Sequence, residues 1–308
     1  MSVKTITTVV TQPASILLTS LYAVHLELAI GTDTANDVWF TAAINQVSRS
    51  IARYCNRKFG VASYSDLILP DEDPYPYQVP GLLDVLQLSH WPMVAATPDC
   101  TVVQQLGNGS TVTLVENTDF VTDLATGQLT RLSSQTLLPI QWEDYPVTVG
   151  YAAGYETQSE AWTVPTTPYQ VQVLAPDGNW QADAGVVYAS SGTALTRVAS
   201  APAQGQYALI AATNSVAPGG YQFAAADAGQ AVLISYAYVP FDLEEAALRL
   251  VTSRFRDRGR DPYLKAKEQP GPLGREEYWI GSLPGRGDTQ FPPEIQSVLD
   301  LYRVPVVH

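Results

Sequence analysis

The chain has 308 residues, 46% of them apolar and only 15% charged, and its 30 acids against 17 lysines and arginines leave a net charge of −13. That length suits one large domain or two ordinary ones, and the negative balance excludes a protein whose whole surface grips DNA or anionic lipid. Few charges, 17 tyrosines, 21 glycines and 22 prolines point toward a β-rich architecture.

The first residues, MSVKTITTVVTQPAS, lack a charged stretch followed by an apolar core, so no secretory signal is expected. Nor does any uninterrupted apolar run reach the length of a membrane span. The chain is therefore expected to be made in, and to work from, a cytoplasm. A short helix is predicted at Ser20–Leu28. A longer one follows in TDTANDVWFTAAINQVSRSIARYCNRKFG, where Phe40, Ile44, Val47, Ile51 and Tyr54 recur at helical spacing on one face. Asp33 or Thr34 could cap it, Asp37 suits its positive end, Arg53, Arg57 and Lys58 its negative end, and Gly60 could close it.

From Ser63 to Tyr155 the period changes to short β-type runs: DLILP, VLQLSHWPMVAA, TVTLVENTDFVTD, GQLTRL and YPVTVGYAAGY. DEDPYPYQVPG, residues 71–81, reads as a proline-rich loop. Residues 162–240 form another strand series, with regular spacing that suggests a small sandwich or barrel. Between Glu156 and Phe241 one cation, Arg197, stands against Glu156, Glu160, Asp177, Asp183 and Asp227, a composition shift that marks a boundary at each end. VTVGYAAGYE and VLISYAYVPFD, at its two edges, resemble each other, as the ends of an insertion or a duplicated strand would; a chance match of two strands reads equally well.

FDLEEAALRLVTSRFRDRG opens a second strong helix, with Asp242 and Glu245 spaced as a capping box and Leu243, Ala247, Leu250, Val251 and Phe255 as its apolar stripe. Gly259 is a natural stop. Arg254, Arg256, Arg258, Arg260, Lys265 and Lys267 crowd its end, where positive charge meets the helix dipole; their presence needs no nucleic acid. QPGPLGREEYWIGSLPGRGDTQF reads as a Gly/Pro-rich linker. In PPEIQSVLDLYRVPVVH, Pro292 and Pro293 start a short helix, Ile295, Val298, Leu299 and Tyr302 form its stripe, and Pro305 ends it.

Motifs that carry chemistry are missing. His25, His90 and His308 sit in no zinc-ligand spacing, and His25 and His90 read as structural. There is no phosphate-binding loop, dinucleotide fingerprint or nucleophile elbow. Cys55 and Cys100 show no CxxC spacing, and Cys55 reads as a buried free thiol. Asp71, Glu72 and Asp73 lack the spacing of a calcium loop. Arg286–Asp288 spells RGD inside the linker, and Phe255 and Tyr263 are too few for a base-stacking platform.

Three segments, in this order, resemble the head–tail connector (adaptor) proteins of tailed bacteriophages. LTSLYAVHLELAIGTDTANDVWFTAAINQVSRSIARYCNRKFG is similar to that family's opening helix pair. LQLSHWPMVA, DFVTDLATGQLTRL and YPVTVGYAAGY are similar to its β segment, and PFDLEEAALRLVTSRFRDRGRDPYLKAKEQPG with PPEIQSVLDLYRVPVV to its later helix and tail. Residues 162–240 depart from the compact family pattern and look like a β module of other phage structural proteins.

The resemblance implies an α+β fold, with a helical adaptor core (1–155 and 241–270), an inserted all-β sandwich- or barrel-like domain (156–240) and a C-terminal arm (271–308). It implies no catalysis and no cofactor. The expected assembly is a homo-oligomeric, dodecameric ring beneath the phage portal protein, meeting a stopper or tail-completion protein. Packaged DNA would pass through without sequence-specific binding, no membrane is involved, and the location is the virion neck after assembly in the host cytoplasm. The expected partner-binding residues, toward portal or neighbouring subunit, are Leu299, Leu301, Tyr302, Val304, Val306 and Val307 in the tail and Arg254, Arg256, Arg258, Arg260, Lys265 and Lys267 in the basic run. The alternative is a phage tail or capsid decoration protein whose β domain binds a surface ligand.

Overall fold

The computed structural model describes residues 4–69, 85–143, 145–258, 266–268, 275–277 and 291–304, with the side chains of 266–268 and 275–277 outside the description. The fold is α+β, with helices and sheets gathered around three apolar cores.

Helices α1 (Leu21–Leu28), α2 (Asp37–Tyr54), α3 (Phe241–Arg256) and α4 (Pro293–Leu301) build the first core. The α2 stripe buries Phe40, Ile44, Val47 and Ile51, and that of α3 buries Leu243, Ala247, Leu250 and Val251. Each such side chain contributes roughly 1.5–3 kcal/mol when removed from water, so the two stripes outweigh the weak intrinsic helicity of their β-branched members. Ser20 caps α1 by accepting the Ala23 N–H. Neither of the caps expected from the sequence, Asp33 or Thr34 for α2 and the Asp242–Glu245 box for α3, forms. Asn36 precedes α2 without a side-chain capping bond to the helix. Pro240 precedes α3, where Asp242 accepts the Leu243 N–H and Glu245 turns along the helix to pair with Arg249. Gly60 serves as a close approach rather than a helix stop, since a Cβ there would meet the Ser15 carbonyl oxygen at 2.4 Å.

The second core lies between two sheets. β1 (Lys4–Thr11), β2 (Ala62–Leu69), β8 (Val147–Ala153), β4 (Cys100–Gln105) and β5 (Thr111–Leu114) run in that spatial order; β3 (Val85–Gln87), β7 (Gln128–Arg131) and β6 (Phe120–Asp123) form the smaller sheet. Between them are buried Tyr64, Leu88, Phe120, Leu129, Val149 and Trp142, whose indole N–H donates to the Leu129 carbonyl. The Ala-Gly-Tyr end of β8 needs its glycine: Gly154 has φ +142°, and a Cβ would stand 2.6 Å from the Val61 Cα.

The third core is enclosed by β11 (Asn179–Tyr188), β15 (Ala231–Val239) and β9 (Glu156–Thr163) on one side and β10 (Gln170–Gln172), β14 (Gly220–Phe223), β13 (Gln206–Ile210) and β12 (Thr196–Val198) on the other. Val186, Val232, Ile234 and Tyr236 face Val171, Tyr207, Tyr221 and Phe223 across it. This is a two-sheet sandwich. The look-alike strands β8 and β15 lie in different sheets; β15 pairs with β9 instead, placing Ala237 opposite Glu156. A short antiparallel ladder joins β16 (Ala266–Glu268) to β17 (Arg275–Glu277), inside sequence read partly as linker.

The shortage of cations is met by tyrosine. Hydroxyls of Tyr54, Tyr151, Tyr188, Tyr207, Tyr221, Tyr236 and Tyr302 donate to Asp300, Asp66, Asp227, Asp183, Asp183, Glu160 and Asp242 respectively. A phenol satisfies a carboxylate without importing a second charge into a poorly hydrated site. Burial first, and the carboxylate partner next, push Tyr207 and Tyr236 above the ordinary phenol range.

Candidate functional site

The basic run closes α3, and the structure divides it. Arg258 is exposed but held in place by stacking, its guanidinium 5.1 Å from the Trp39 ring centre and 5.5 Å from that of Phe255, while it donates to Asn36 Oδ1 at 2.7 Å. It ties α3 to the start of α2. Arg254 and Arg256 are exposed. Arg260 and Lys265 lie outside the described residues, as does the side chain of Lys267 in β16.

The tail departs from the expected docking arm. Leu299 is 0% exposed and belongs with Phe291 and Ile295 to the helical core. Tyr302 packs near Phe59 and Tyr155 and donates to Asp242 at 2.6 Å. The Val304 N–H reaches the Cys55 carbonyl at 3.0 Å. Leu299, Tyr302 and Val304 are thus held by this chain, because α2 and α3 leave an apolar gap that α4 fills. Leu301, 79% exposed, remains free on the outer side. Val306 and Val307 lie outside the described residues, together with 70–84, Gly259, Tyr263, 278–290, Pro305 and His308.

A cleft of about 540 Å³ opens between α1 and the sandwich. Leu21, Leu26, Val173, Leu174 and Trp180 give it apolar walls, and Glu244 and Gln181 supply polar groups. Glu244 is buried and accepts the Thr19 hydroxyl at 3.2 Å; burial pushes its carboxyl up to about 7. Gln181 donates to the Leu17 carbonyl at 2.9 Å, while its Oε1 is buried without a partner. Nothing in the sequence pattern flagged Glu244, since an acid in a first helical turn normally faces water.

The remaining reactive side chains are held structurally. His25 is buried and bridges Asp37 Oδ1 at 2.6 Å and the Gly31 carbonyl at 2.9 Å. His90 stacks on Tyr64 at 3.9 Å, and desolvation lowers its pKa. Burial raises both thiols, Cys55 and Cys100, to about 11, which keeps them protonated and poor nucleophiles. Among the described residues no group of three or more His, Cys, Asp or Glu could hold a metal ion, and no helix is long and apolar enough to cross a membrane.

No family model and no curated protein matches the chain. Among solved structures it is similar to a chain of one described as "Neck of empty GTA particle computed with C6 symmetry", at 11% identity and TM-score 0.38, over 98% of this chain and 97% of that one. A likeness of that degree assigns no function here.

Proposed function

We propose that this chain is a non-enzymatic structural protein of a phage-type virion neck, an adaptor that forms a ring beneath the portal and continues the DNA channel toward the stopper or tail. The observation that carries the reading is how the resembling segments combine. The opening helix pair, the later helix and the tail helix share one core, although the sandwich separates them in sequence. Their β segment follows directly from α2 and supplies the second core.

The portal-facing surface in this reading includes Arg254 and Arg256, exposed at the end of α3, and Leu301, exposed on α4. Exposed cations of this kind steer and orient a partner more than they add affinity. Co-sedimentation with the companion portal ring tests it. The chain should pellet with the ring, and Arg254→Glu with Arg256→Glu should weaken binding at least tenfold while leaving thermal unfolding unchanged. A chain that never pellets with the ring overturns the adaptor assignment.

A further inference from the structure

A sheet edge is an unpaired row of N–H and C=O groups, and native proteins guard such rows with charge, brevity or cover. Most edges here are guarded. β9 carries Glu156 and Glu160, β11 carries Asp183, β6 ends on Asp123, and β12, three residues long, holds Arg197. β3 and β10 are also three residues long. Among the described residues two edges are not guarded, and both belong to the five-stranded sheet. β1, KTITTVVT, is eight residues long and uncharged after Lys4; β5, TVTL, has no charge at all.

Both unguarded edges expose apolar side chains. Ile6 and Val10 on β1 are 45% and 66% exposed, and Val115, just past β5, is 59% exposed; Val112, 38% exposed, pairs with Gln104 and so lies on the core-facing side. The outward face between them runs through Ser65, Leu67, Thr148, Gly150, Thr101 and Val103, by cross-strand register from Ile6 and Thr8. Among the described residues that face carries none of the chain's 30 acids, and Lys4 is its one cation. The two rims differ in sign. β1 begins on Lys4, with Lys58 near its far end on Gln12, whereas β5 runs into Glu116 and Asp119, with Asp99 bonded to Glu116.

We infer that the free edge of β1 in one copy pairs with the free edge of β5 in the next copy of this chain, extending one sheet from subunit to subunit. Different edges meet, so the contact is head-to-tail and propagates, closing into a ring where the rotation allows. The occupant is a second copy because the row that complements one edge lies on the opposite side of the same sheet, with opposite charge at its rim. The inference agrees with the ring reading above but needs no portal, so each can fail alone.

Sedimentation velocity of the full chain up to millimolar concentration tests it. Wild type should form species beyond the dimer. Ile6→Lys with Val10→Lys should block one edge, and Thr113→Lys with Val115→Lys the other. Each variant should be monomeric alone with an unchanged far-ultraviolet spectrum, and the single changes Val10→Lys and Val115→Lys should act in the same direction should a double variant fold poorly. An equal mixture of the two edge variants should stop at a dimer, because each retains the edge the other lacks. A wild type that stays monomeric overturns the pairing. So does a β5-edge variant that still dimerises alone, which would mean like edges meet.

Discussion

The backbone N–H of Tyr238 donates to the Tyr155 carbonyl at 3.0 Å, and their rings stand 5.7 Å apart. Tyr155 is the last residue before β9 and Tyr238 the next to last of β15, so the chain comes into the sandwich and leaves it at neighbouring points. Removing what lies between leaves two ends already within bonding distance, and closing so short a gap costs little loop entropy. Replacing residues 157–236 with a short Gly-Ser linker should therefore preserve a single cooperative thermal transition for the remaining two cores. Its midpoint should fall, because the Gln181–Leu17 bond and one wall of the cleft are lost. A broad, non-cooperative melt would mean the sandwich is integral to the rest.

Leu299 and Leu301 sit two residues apart on α4 and should behave oppositely. Leu299→Ala removes a fully buried side chain and should cost about 2–5 kcal/mol in urea denaturation. Leu301→Ala, on the exposed side, should stay within about 0.5 kcal/mol of wild type. Truncation after residue 290 would strip Phe291, Ile295 and Leu299 from the core together, and the helices should lose cooperative unfolding. A well-folded truncation would restore the detachable-arm reading of the tail.

The helical half was legible because its signal is a period: Phe40, Ile44, Val47 and Ile51 can share a face in only one way. The sandwich was legible as alternating runs broken by turn residues. Three features were not. The strand β1 lies in TITTVVT, whose β-branched residues carry the signal but whose partner, β2, begins only at Ala62. The stripe of α4 was found, yet periodicity says that a face is apolar and not what covers it, so a core helix read as a docking helix. Tyrosine–carboxylate pairs such as Tyr151–Asp66 join residues far apart in sequence and leave no local pattern.

Glu244 gives stability a pH dependence of unusual sign for an acid. Its folded-state pKa, about 7, lies above the ordinary 4.5, so the fold favours the neutral form. The native state then holds more protons than the unfolded chain between those values, and stability falls as pH rises through that window. Glu244→Gln keeps an acceptor for Thr19 but cannot ionise. It should match wild type near pH 5 and exceed it at pH 8 by on the order of 1–3 kcal/mol. Urea midpoints at the two pH values measure this, and parallel curves for the two proteins would contradict a buried, ionising Glu244.

Arg57 joins the helical core to the first pair of sheets. It follows α2, and its guanidinium lies 5.4 Å from the ring centre of Phe59, 6.0 Å from that of Trp91 and 5.6 Å from that of Tyr155, while donating to the Trp91 carbonyl. Only a planar, weakly hydrated cation can face three rings and still aim a donor at a backbone oxygen. Lysine keeps the charge but concentrates it on one strongly hydrated nitrogen. Arg57→Lys should therefore cost on the order of 1–3 kcal/mol in urea denaturation. Arg57→Met, which keeps apolar contact with the rings but leaves the Trp91 carbonyl without its donor, should cost at least as much. Trp91 emission should shift to longer wavelength in both as water reaches the junction. If Arg57→Lys unfolds at the wild-type midpoint, charge alone suffices and the stacked geometry contributes nothing.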